Sequence, residues 1–271
     1  MFTGLIRRFS SEDTDLGVPS QDNPTMHGKD GINEVFIPSN MRRASPFRPP
    51  PLEPVCLHGY KDSTGEDSRL LNEAVAEEIR TMVPERLKLA EEWKLVYSLE
   101  QDGSSLSTLF QKCKVHEGER VGFVLVVRDE DDCTFGAYLS EYPHPAPSYF
   151  GNGECFLWRV STLPSLPPPP SADTTNLFRS TTLASPTRDS HGHGDMIRFK
   201  AFPYSGLNDC YINCEAGFLS VGSGGGKYGL WLDDTLDVGH SSTCDTFGNE
   251  PLSDVGEKFN VVGVEVWVLG A

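Results

Sequence analysis

Seven cysteines, a run of glycines, a string of acids ending in a histidine, and three glutamates are the residues of this 271-residue chain that could do chemistry. They are densest between Leu219 and Ser253, LSVGSGGGKYGLWLDDTLDVGHSSTCDTFGNEPLS. Five glycines fall between Gly222 and Gly229, among them Gly224, Gly225 and Gly226. Glycine loses the most backbone entropy on ordering, so such a run needs a reason, either positive φ or close backbone approach. GSGGGKYG invites comparison with a phosphate loop, whose glycines free N–H groups for an anion. The G-x-x-x-x-G-K-[ST] pattern fails twice, because Val221 stands at the first glycine position and Tyr228 replaces the magnesium-holding hydroxyl. The following GLWL also reads as strand where a helix is required. Tight turning between packed strands is the better reading, and no cofactor is expected.

Asp233, Asp234, Asp237, His240 and Cys244 mix the oxygen ligands that suit calcium with the nitrogen and sulfur that suit zinc. The acids lack the calcium-loop spacing, and acids at a strand end usually cap turns or face water, so no metal is expected. His191 and His193 would bind metal only adventitiously. The cysteines are Cys56, Cys113, Cys133, Cys155, Cys210, Cys214 and Cys244, an odd count without a C-x-x-C pair, and they read as reduced thiols of an intracellular compartment. Cys210 and Cys214, four apart, fall on the same side of one strand. A peroxide-reactive thiol needs a stabilised thiolate. Cys155 and Cys210 sit in or beside apolar runs; Cys244, in a polar loop, is the more accessible candidate for redox sensitivity, although Asp245 opposes its ionisation. Glu154, Glu250 and Glu265 could act as general bases if turned inward, or could accept hydrogen bonds and merely hold the fold. The structural role is preferred, and no catalytic residue is assigned.

The elements that must position these residues are mostly strands. They are expected at 94–99, 122–128, 133–139, 154–160, 196–202, 211–214, 218–222, 229–233 and 261–269. The runs FLSVG and YGLWLDD around the glycines predict a hairpin with a wide or bulged connection. A helix is expected over 72–83, with Asn72 as its cap and Val75, Ile79 and Met82 on one face. Pro84 ends it and starts a second short helix through 86–90. Ser104 caps a third, with Leu106, Leu109 and Phe110 inward. The last strand places Val262, Val264, Val266 and Val268 on one face and Gly263, Glu265 and Trp267 on the other, both at least partly buried. Strands in number, with helices grouped early, predict an α+β fold, a sandwich of two antiparallel β-sheets with a few flanking helices.

Residues 1–53 lack periodicity and end in SPFRPPPLEP, the composition of a disordered tail. The remaining domain, 54–271, is interrupted at about 162–195 by a Pro/Ser-rich insertion. Ser10, Ser45 and Ser185, beside arginine or proline, resemble phosphorylation sites. The N-terminus, MFTGLIRRFSS, faintly resembles a mitochondrial presequence, but Glu12, Asp13 and Asp15 follow at once. No apolar run is long enough to span a bilayer, so direct membrane insertion is not expected. The net charge of −16 argues against nucleic acid and favours a basic protein partner. The first 53 residues contain seven acids and six bases, so nearly all of that charge belongs to the domain.

Several blocks resemble the TLDc-domain family, and within it the fungal oxidation-resistance proteins. They are WKLVYSLEQDGSSLSTLF, RVGFVLVVRD with FGAYLSE, YFGNGECFLWRV, the glycine-rich segment through GNEPLS, and the closing VVGVEVWVLGA. The resemblance implies a two-sheet sandwich, resistance to oxidative damage, and association with peripheral subunits of the vacuolar-type proton ATPase. A cytoplasmic location with vacuole-membrane association, or a mitochondrial one, is implied with it. The family has no agreed catalytic mechanism, so the leading expectation is a non-enzymatic interaction protein. Gly224, Gly225, Gly226, Trp231, Gly248, Asn249 and Glu250 are its expected contact surface, since contacts often lie on loops held by rigid sheets. The alternative is a cysteine-dependent peroxide-scavenging enzyme.

Overall fold

The computed structural model describes residues 52–163, 183–184 and 196–271. The expected tail up to Pro51, most of the expected insertion, the His191 and His193 pair and the three serines lie outside the described residues. No helix among the described residues is long and apolar enough to cross a membrane.

The chain runs β1 (Cys56–His58), α1 (Glu73–Met82), α2 (Glu85–Lys88), β2 (Glu92–Ser98), α3 (Leu99–Asp102) and α4 (Leu106–Cys113). It continues through β3 (Gly122–Asp129), β4 (Thr134–Leu139), β5 (Phe156–Leu163), β6 (Leu183–Ala184) and β7 (Met196–Pro203). The last third is β8 (Ile212–Glu215), β9 (Phe218–Gly224), β10 (Lys227–Asp233), β11 (Val238–His240) and β12 (Lys258–Leu269). Asn72 caps α1, its side chain accepting from the Val75 N–H at 2.8 Å. Ser105, not Ser104, caps α4, accepting from the Thr108 N–H at 3.3 Å. Met82 is exposed, contrary to expectation. The last turn of α1 buries Arg80 instead, whose guanidinium donates to the Lys88 and Glu53 carbonyls.

Two sheets form the sandwich. Sheet A runs β6-β7-β5-β4-β3-β12-β2-β1, antiparallel except for the parallel β1–β2 pair; sheet B runs β8-β9-β10-β11 and ends on β12. β12 therefore belongs to both. Its first residues pair with β11, as Phe259 with Gly239, and from Val261 onward it pairs with β3. The register shifts between Val261 and Gly263, a bulge that turns the strand from one sheet into the other.

Burial follows from this layering. Phe123, Leu125, Val127, Val264, Val266 and Val268 face a core shared with Leu219, Val221, Leu230 and Leu232 of sheet B and with Leu106 and Leu109 of α4. The other face of sheet A, with Val124, Val126, Trp158 and Trp267, packs on Val75, Ile79 and Leu87 of α1 and α2. A strand buried on both faces needs apolar residues at every position, which explains the unbroken GFVLVV. The expected valine ladder of β12 holds at three of four positions. Val262 sits at the bulge and is 51% exposed, because the extra residue throws it off the core face.

Candidate functional site

The glycine-rich hairpin, the loop after β11 and the loop between β7 and β8 meet at one end of sheet B. β9 and β10 pair up to Gly224 and Lys227, so the connection is two residues and not wide as expected. Gly225 and Gly226 have φ of +59° and +78°, the left-handed pair that such a tight turn demands. The other glycines answer to crowding. A Cβ on Gly222 would meet the Phe247 ring at 2.5 Å and Cys244 Sγ at 2.8 Å, and one on Gly224 would meet the Asp245 carboxylate at 2.5 Å. Residues 244–247 thus lie flat on the hairpin, and side chains there would push them off. Both reasons for a glycine run operate, at different positions.

Buried polar side chains hold that loop. Asn249 Oδ1 accepts from the Cys244 N–H at 3.3 Å and from Cys244 Sγ at 3.1 Å, while its amide donates to the Ser242 and Glu250 carbonyls at 2.9 Å. The Thr246 hydroxyl accepts from the Ser223 N–H at 2.9 Å and donates to Asn208 Oδ1 at 2.7 Å, tying all three loops together. The Ser241 hydroxyl donates to the Gly229 carbonyl, Ser253 donates to Asp129, and Arg159 of β5 donates to the Pro251 carbonyl and to Asp254. The Arg159 hydrogen bond holds the Asp254 carboxyl below its ordinary range. Spacing gave no sign of Arg159, Thr246 or Ser241, whose partners are 11 to 95 residues away.

The expected contact residues therefore divide. Gly225, Gly226, Gly248 and Glu250 are exposed, Gly224 and Trp231 are half-buried, and Asn249 is buried. Asn249, expected as a contact residue, lies buried and clasps its own loop, which uses both polar atoms of its side chain. Glu250 reaches Lys200 at 2.7 Å.

Cys244 is likewise corrected. It is 2% exposed, packed under the hairpin glycines, and burial pushes its thiol up. Burial also raises Cys113, Cys155 and Cys214, and pushes the part-exposed Cys133 up to about 11. Such thiols hold little thiolate at neutral pH. Cys210 precedes β8, so it does not share a strand with Cys214 as expected. Cys56 is exposed.

Among the described residues no three of His, Cys, Asp and Glu converge to hold a metal ion. Asp233 closes the turn after β10, accepting from the Asp237 and Val238 N–H groups at 2.9 and 3.0 Å, while His240 packs edge-on against Trp231. Glu154 pairs with Arg86 at the surface at 3.2 Å. Glu265 is the buried one. It accepts from the Tyr60 hydroxyl, the Leu70 and Leu71 N–H groups and Trp267 Nε1, at 2.9 to 3.3 Å. Burial raises its carboxyl, and these donors pull it only partly back. Both oxygens are engaged in fastening residues 60–71 to β12, so its role is structural, with donors from the segment before α1 and from Trp267 on β12 itself, and none from a glycine turn.

Residues 64–270 match the TLDc domain. Over 295 residues the sequence is 61% identical to oxidation resistance protein 1 of Gibberella zeae, covering 100% of this chain and 89% of that protein. It is 50% identical to the Neurospora crassa protein of the same name, covering 99% and 85%. The Saccharomyces cerevisiae protein of that name is 42% identical, with 81% and 79% covered.

Proposed function

The chain belongs to the TLDc-domain family, and on that premise we propose that it contributes to resistance against oxidative damage by binding another protein, without catalysing a reaction itself. The partner is a peripheral subunit of the vacuolar-type proton ATPase, and the contact is made by the end of sheet B where the three loops meet. Binding there brings the chain to the vacuolar membrane; cell fractionation separates this from a mitochondrial location.

One observation carries the reading. The hairpin tip, Gly248 and Glu250 are exposed on loops whose interiors are fixed by Thr246, Asn249 and Ser241. Loops held in one conformation lose little entropy on binding, which is how a rigid scaffold presents a recognition surface. The buried, upshifted thiols weigh against peroxide chemistry at the expected cysteine.

Affinity purification from native extract on the full chain tests this reading, and recovery of ATPase subunits is the expected result. Failure to recover them at any salt concentration sinks the partner assignment. Peroxide consumption with a thiol reductant is the second arm. Consumption limited to the number of thiols is expected, and sustained turnover lost in Cys244→Ser would restore the enzymatic alternative.

A further inference from the structure

We infer that the outer face of sheet B is a docking face for a partner segment carrying arginine or lysine side chains beside apolar ones. The inference rests on the binding reading above and assigns the chemistry of what binds.

Sheet A has both faces covered, one by sheet B and the other by α1 and α2. On sheet B, Leu219, Val221, Leu230 and Leu232 point into the core, so Trp231, between the two leucines of β10, points out. Trp93, Trp158 and Trp267 are all 0% exposed, and Trp231 alone is part-open. It stacks on Phe218 at 6.2 Å and meets His240 edge-on at 5.3 Å; Phe218 in turn lies 6.4 Å from Tyr228. All four rings are half-buried. An aromatic strip of this kind is an apolar surface with electron-rich ring faces available above it.

The charge around it is mostly negative. Glu215 and Asp233 flank Phe218 in register, and Asp234 and Asp237 are exposed in the turn that follows β10. Between residues 212 and 240 there is no arginine and a single lysine, Lys227, which Glu257 holds at 3.0 Å. Lys258, opposite His240 on β12, marks the limit of the acidic area. Acids beside open aromatic rings attract a guanidinium or ammonium group, which stacks on the ring while the carboxylates complete its hydrogen bonds. The same acids repel nucleic acid and anionic lipid. A lysine- or arginine-bearing protein segment with apolar neighbours fits both halves of the surface.

The test uses the full chain and a labelled nine-residue peptide of alternating arginine and leucine, with a glutamate–leucine peptide as control. Fluorescence anisotropy gives the affinity, and Trp231, as the one part-open tryptophan, reports contact through its emission. Trp231→Ala is expected to weaken binding by roughly fivefold or more, with Trp231→Phe recovering part of it. Asp234→Asn with Asp237→Asn is expected to weaken it about threefold. Glu91→Gln with Glu92→Gln, an equal charge change at the exposed start of β2, is expected to change it less than about twofold. Equal weakening by both charge pairs with no effect of Trp231→Ala would show non-specific attraction to an acidic chain and overturn the proposal. Light scattering that finds a dimer broken by Trp231→Ala would also overturn it, since a second copy would be the occupant. Undiminished recovery of ATPase subunits by Trp231→Ala would overturn this face and leave the binding reading standing. Trp231-dependent peptide binding without recovered subunits would support the face and remove the named partner.

Discussion

Sheets A and B are built from similar strands, yet among the described residues the centre of one is buried on two faces and the other on one. In sheet A, consecutive residues of β3 feed different cores, Phe123 and Leu125 inward and Val124 and Val126 toward α1 and α2. In sheet B, the inward leucines alternate with serine, tryptophan and acids. The central strands of sheet A, β3 and β4, are buried at nearly every position, so they serve as scaffold. Among the described residues, the outer side of sheet B keeps half-buried rings beside exposed acids, and the loops at its end leave atoms exposed. β12 takes part in both regimes, changing from one to the other at the Val261/Gly263 bulge. Recognition is therefore expected on sheet B and stability in sheet A.

The sharpest way to break that comparison is to attack each sheet's tryptophan. Trp267 is fully buried in sheet A, and Trp267→Ala should cost about 3–5 kcal/mol in urea unfolding. Truncation after Lys258 should leave no folded protein. Soluble, cooperative folding of the truncated chain would show that sheet A does not depend on its central strand.

Next in size is Gly222→Val. Its φ of +76° and the 2.5 Å approach of Phe247 leave no room for a side chain, so a loss of about 2–4 kcal/mol is expected. At the tip, Gly225→Asn keeps a residue that tolerates positive φ and meets nothing within 4 Å, so its cost should stay under about 1 kcal/mol. Equal losses at the two positions would mean that the loop does not lie against the hairpin.

Glu265→Gln should come third. An amide turns donors toward donors and loses part of the set, for about 1–3 kcal/mol. The variant also removes a pH dependence whose sign is definite. The Glu265 carboxyl is raised in the fold, so its favourable contribution is full below the unfolded carboxylate pKa and is lost as pH rises through its folded value. Asp254 is lowered, so its contribution is present above the ordinary aspartate range and is lost as pH falls through its folded value. Unfolding curves across pH 3–8 (roughly the carboxylate range) should show the first slope in the wild type and not in Glu265→Gln.

The smallest stability effect is expected from Trp231→Ala, under about 1.5 kcal/mol, because the half-buried ring loses only part of a buried aromatic's transfer energy. Near-equal costs for Trp231 and Trp267 would erase the contrast between the sheets.

The fold was largely legible because each strand's periodicity reflects its own layer. GFVLVV announces burial on two faces, and the alternation from Val264 to Val268 announces a strand in the interior. The candidate site was legible only in outline. The glycine run marked the place, but Cys244 read as a loop thiol because its neighbours Thr243, Asp245 and Thr246 are polar. Thr246 is itself buried, its hydroxyl bonded across three loops. Local polarity says nothing of a partner 23 or 38 residues away.

Residue order alone determined where nine of the twelve strands lie, missing the short β1, β6 and β11, as well as where Asn72 opens a helix and that the glycines need unusual backbone or close approach, because these depend on neighbours within a few positions. Only the tertiary structure decided that Gly225 and Gly226 serve the turn while Gly222 and Gly224 serve the loop above them. It also decided that Asn249 and Cys244 face inward, that Val262 is thrown out at a bulge, and that the outer face of sheet B keeps part-open rings among the described residues. Those outcomes depend on which distant surfaces meet, and nearest-neighbour chemistry does not encode that meeting.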